Sequence, residues 1–70
     1  MAHHFKSSLL AVADYDEATQ TLTLQLHNGA QYTYADVPRE TFQNLITAES
    51  AGQFFQYDIR PHFQGTKIEE

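Results

Sequence analysis

Seventy residues make one small domain, near the lower limit at which packing alone keeps a chain folded; net stability there rarely exceeds ~3–5 kcal/mol without a staple. The chain has no cysteine, so neither a disulfide nor a thiolate-held metal is that staple. Four Lys and Arg against nine Asp and Glu leave a formal charge of −5, which argues against a generic duplex binder, whose affinity grows with the phosphates it neutralises.

Five Phe and four Tyr are the obvious core material, since each aromatic buries about 150–250 Å². Most of them are therefore needed for structure. The lack of cysteine fits a reducing cytoplasm. The opening M-A-H-H-F-K-S-S has no signal-peptide apolar stretch, and no run is long enough to span a membrane. His3-His4, native or a tag remnant, is left out of the functional reading.

In chain order, Ser8 to Asp14 reads as a first strand, with Leu10 and Val12 on one face and Leu9, Ala11 and Ala13 on the other. Asp16-Glu17-Ala18-Thr19 suits a turn. Thr21 to Leu26 alternates strictly, the pattern of a half-buried strand. His27-Asn28-Gly29 then leads into a third strand, Ala30 to about Ala35. Val37-Pro38 changes the period to helical: Pro suits a helix start, Asp36 can help cap it, and Phe42, Leu45 and Ile46 share one face. Ser50-Ala51-Gly52-Gln53 fits a capping box that begins a second helix. Phe54, Phe55 and Ile59 supply its buried side, and Pro61 ends it. The tail is expected to fray beyond Phe63.

The hairpin register decides where Tyr32 and Tyr34 point. A two-residue Asn28-Gly29 loop sets both rings opposite Gln25 and Thr23, as an exposed aromatic platform. A three-residue His27-Asn28-Gly29 loop instead pairs Leu26 with Ala30, Leu24 with Tyr32 and Leu22 with Tyr34, separating apolar from polar completely. Register follows the hydrophobic pattern where one face is buried. Mixing the faces would forfeit about 1.5–3 kcal/mol for each large side chain left out. The three-residue loop is the expectation, with both rings on the leucine face.

Taken together, Ser8, Tyr15-Asp16, Asn28-Gly29, Tyr32-x-Tyr34, Val37-Pro38, Ser50-x-Gly52, Phe55 and Ile59-Arg60 resemble the KTSC domain family, over about residues 7–63. The chain departs from the family at Leu26, where phenylalanine is usual, and at Gln56, where asparagine is common. The resemblance implies a module that occurs at the C-terminus of some lysyl-tRNA synthetases and as short stand-alone bacterial proteins. It implies a suggested RNA-binding role, with no established activity, and makes Tyr32 and Tyr34 the family hallmark.

The expected architecture is α+β: a three-stranded antiparallel β-meander followed by two short α-helices packed on one face. One domain with a core of about residues 7–63 carries flexible ends at 1–6 and 64–70. Arg39, Tyr57, Arg60 and His62 form a candidate ligand or RNA patch. Against it stand a favourable helix C-terminal position for Arg60 and a pairing of Arg39 with Glu40 or Asp36. Tyr32 and Tyr34 are read as core rather than as a stacking pair. Asp14-Tyr15-Asp16-Glu17 lacks the glycine and closing glutamate of a calcium loop. His27 and His62 have no zinc-ligand spacing, and no nucleophile elbow, phosphate loop or paired-carboxylate signature is present. No cofactor, metal or catalytic residue is expected. Two functional readings remain: a non-enzymatic, RNA- or tRNA-associated binding module, or a protein-interaction module or homodimer.

Overall fold

The computed structural model describes residues 2–68. Five strands form one antiparallel sheet in the order β1-β2-β3-β4-β5: β1 Ala2–His4, β2 Leu10–Asp16, β3 Thr21–Leu26, β4 Gln31–Tyr34 and β5 Gly65–Ile68. Between β4 and β5 run α1, Arg39–Thr47, and α2, Ala51–Phe54, which continues as a wide π-helical turn, Phe55–Ile59. The α+β class is as expected, but the sheet has two more strands than the meander read from the sequence. Both come from the ends expected to be flexible. Residues 2–4 pair with β2, and residues 65–68 pair with β4.

The first strand also departs from simple alternation. A bulge between Leu10 and Val12 lets Leu10, Ala13 and Tyr15 all enter the core, while Val12 pairs with Gln25. The extra residue of a bulge resets which face the following side chains take. Leu9, Ala11 and Ala13 therefore do not share a face as expected.

The hairpin takes the three-residue loop. Leu22 pairs with Tyr34 and Leu24 with Tyr32. Leu26 N–H donates to Ala30 C=O at 2.8 Å, and Gly29 N–H donates to Leu26 C=O at 3.0 Å. Gly29 sits at φ 92°, the left-handed region that this loop needs and glycine tolerates. Asn28 Oδ1 accepts from Ala30 N–H at 2.9 Å and fixes the loop further.

The leucine face packs under the helices. Leu10, Leu22, Leu24, Val37, Leu45 and Ile59 are fully buried, and Phe42 and Phe55 nearly so. Pro38 stands at the N-cap of α1 with no side-chain cap bond, so Asp36 does not cap the helix; it takes a left-handed turn conformation at φ 58° instead. Ser50 does cap α2, its Oγ accepting from Gln53 N–H at 3.3 Å, as the capping-box pattern requires.

Candidate functional site

The register sends both hallmark tyrosines to the helix side of the sheet, and they end differently. Tyr34 is 3% exposed, and its ring meets Phe55 edge-on at 5.8 Å and 78°. Its partner across the β4–β5 ladder is Gly65. A Cβ at that position would run into the Tyr34 ring, reaching 2.8 Å from Cζ. The missing side chain lets β5 cross directly over the ring. Burial pushes the Tyr34 hydroxyl pKa up; the nearby Arg60 charge works against that rise and Tyr32 adds to it.

Tyr32 is only half-buried. It lines a cleft of about 120 Å³ with Leu9, Leu26, Phe55, Gln56 and Arg60. The wide turn after α2 delivers Phe55 to the core and Arg60 to the rim: Arg60 N–H donates to Phe55 C=O, five residues back, at 2.8 Å. Such turns recur at functional sites. Lys67 stands directly opposite Tyr32 on β5, and directly paired residues share a face. Two of the four cations in an acidic chain thus flank one half-covered tyrosine. Neither Arg60 nor Lys67 forms an ion pair among the described residues.

Of the four patch residues read from the sequence, only Arg60 lies beside Tyr32. Arg39 reaches neither Glu40 nor Asp36; its Nη1 pairs with Glu17 Oε1 at 3.2 Å, across the fold from α1 to the β2–β3 turn. More than half exposed at both ends, that bridge contributes about 0–1 kcal/mol. Tyr57 is 68% exposed and lines a separate shallow groove with Phe54, Glu49, Ser50 and Asp58. His62 is exposed in the turn after Arg60, its N–H donating to Ile59 C=O at 3.1 Å. The residue missed is Lys67, whose place depends on a strand that the polar tail does not announce. Counting two residues on from Gly65 along a strand would have put it on the Tyr34 face.

Among the described strand residues, the opposite face of the sheet carries no tyrosine or phenylalanine. Thr23, Thr33 and Thr66 form one row across it, and Gln25, Gln31 and Ile68 another. Tyr15 is a core residue, its hydroxyl donating to Val37 C=O at 2.6 Å. Asp16 closes a local turn by accepting from Ala18 N–H at 3.0 Å. No cluster of three or more His, Cys, Asp or Glu able to hold a metal occurs among the described residues. No helix there is long and apolar enough to cross a membrane.

Residues 6–63 match the family model described as the KTSC domain. The chain belongs to the KTSC domain family. A KTSC domain protein of Yersinia pestis, solved by crystallography, superposes with a TM-score of 0.89 at 31% identity, covering 99% of this chain and 97% of that one. A protein of Tsukamurella paurometabola is 40% identical over 63 residues, which are 90% of this chain and 94% of the relative. A lysine–tRNA ligase of a Nostoc species is 36% identical over 59 residues, 84% of this chain but 10% of the ligase. Matching segments thus make up nearly the whole of one short relative and about a tenth of a lysine–tRNA ligase.

Proposed function

We propose that this KTSC domain is a non-enzymatic binding module that associates with RNA in the cytoplasm, tRNA foremost. The observation that carries the reading is the placement of Arg60 and Lys67 on either side of half-buried Tyr32, in a chain that is acidic elsewhere. Unpaired RNA is recognised by this combination, an aromatic or guanidinium plane for the base and cations for the backbone. The matching segment within lysine–tRNA ligases supplies tRNA as the natural candidate. Two flanking cations make a short electrostatic footprint, so binding is expected to be weak and only shallowly salt-dependent. A chemical-shift titration with tRNA and short single-stranded RNA at physiological salt tests it. Amide shifts around Tyr32 and Arg60 are expected; a spectrum unchanged at millimolar oligonucleotide removes the reading.

A second reading, a protein-interaction module or homodimer, is favoured by the free edge of β5. All four of its residues are exposed, Ile68 among them, and no strand among the described residues pairs with its outer edge. Such an edge is a template for strand addition. Sedimentation over a range of concentrations tests the homodimer, and a strictly monomeric protein rules it out.

A further inference from the structure

The cleft beside Tyr32 has a floor and a rim of different chemistry. Leu9, Leu26 and Phe55 line it with apolar surface, and the Tyr32 ring forms one wall. Gln56 places on the rim a carboxamide, which both donates and accepts. Arg60 brings a positive charge to the rim, and Lys67, opposite Tyr32 on β5 and outside the cleft itself, brings a second on the other side of the ring; no carboxylate pairs with either among the described residues. At about 120 Å³ the space is the size for a single base and not for a larger ligand. An apolar slot with a two-way hydrogen-bonding group and an adjoining pair of cations matches a planar heterocycle that carries an anion.

We propose that this cleft binds a single nucleotide unit, its unstacked base against Tyr32 and Gln56 and its phosphate on Arg60, with Lys67 adding attraction from across the tyrosine ring. The inference rests on the RNA reading for its natural source, a strand, but the same chemistry is met by a free mononucleotide. The base ring lies on the tyrosine wall, where stacking tolerates any base. Gln56 meets the base edge with its donor and acceptor together. The Arg60 fork takes two phosphate oxygens, and Lys67 acts as a longer-range point charge from across the Tyr32 ring. The exposed Tyr57 groove takes no part, because Glu49 and Asp58 repel a phosphate there.

The test is an amide chemical-shift titration with the four 5′-mononucleotides, the matching nucleosides, inorganic phosphate and a short single-stranded RNA. It is run on the natural chain and on Arg60→Gln, Lys67→Gln and Tyr32→Leu, with each variant's spectrum checked first for retained dispersion. Shifts are expected at Tyr32, Gln56, Arg60 and Lys67 with nucleotides and RNA. Loss of the phosphate or of the Arg60 charge should weaken binding about tenfold or more. Cleft shifts with RNA that vanish in Arg60→Gln support the site with a strand as its source. Cleft shifts with mononucleotides, and none with RNA, support the site and remove the RNA reading. RNA shifts elsewhere, unaffected by the cationic variants, overturn the site and leave the RNA reading standing. Silence at the cleft with every probe, or equal binding of nucleoside and nucleotide, overturns the proposal.

Discussion

The two tyrosine–phenylalanine pairs of this domain do different work. At one end Tyr15 stacks on Phe42 at 4.9 Å with the rings nearly parallel, and both are sealed from solvent. The Tyr15 hydroxyl satisfies the Val37 carbonyl, so ring and polar tip are both used inside the fold. At the other end Tyr34 meets Phe55 edge-on, and Tyr32 beside it stays half open between Arg60 and Lys67. A chain this short needs nearly all of its apolar area for stability. Tyr32, only part-covered by the core and flanked by two cations with no ion pair among the described residues, is an aromatic that a ligand can reach.

Breaking the sealed end should cost most. Phe42→Ala removes a stacked, buried ring and is expected to destabilise by about 3–5 kcal/mol, enough to unfold much of the population in a urea titration. Tyr15→Phe keeps the ring but leaves the Val37 carbonyl buried without its donor; a loss of about 1–3 kcal/mol is expected by the same titration. The open end should yield less. Gly65→Ala sets a methyl group against the Tyr34 ring, and the strand can lift away. The cost is therefore capped at the free energy that docks β5, about 1–3 kcal/mol or less. Hydrogen exchange should show lost protection confined to the β4–β5 ladder; equal loss across β2 and β3 would mean that the two ends are not independent.

The smallest effect is one of pH. The Tyr34 pKa is raised by burial, so above the unfolded value of about 10 the unfolded chain gives up that proton before the folded one does. Unfolded protein then binds fewer protons, and stability falls as pH rises through that window while it is fully present below it. Urea midpoints compared at neutral pH and above pH 10 should show the fall, and Tyr34→Phe should lessen it.

How much of this was legible in the sequence follows from where each signal resides. The hairpin register could be read because Leu22, Leu24 and Leu26 alternate without a break, and a one-residue slip would have turned all three to solvent. The capping box at Ser50 could be read because it is local. The edge strands could not. His3 and the segment Gly65-Thr66-Lys67 carry no apolar alternation, and their order comes from a neighbouring strand distant in sequence. The bulge at Leu10/Val12 was hidden because both faces of that segment are apolar. For the site, Arg60 was legible and its company was not. Lys67 depends on β5, and Arg39 is drawn away by Glu17 on the far side of α1.

The serial order of the sheet also has a kinetic meaning. Strands β1 to β4 each pair with the next in sequence, joined by short turns, and such local closures are fast. Only the β4–β5 pairing must wait for the whole helical segment to be folded back, a longer loop to close. On that basis Tyr34 is expected to receive its cover, and Tyr32 its second cation, late in folding, so a nucleotide that is drawn by Lys67 would report on the completed domain and not on its precursors.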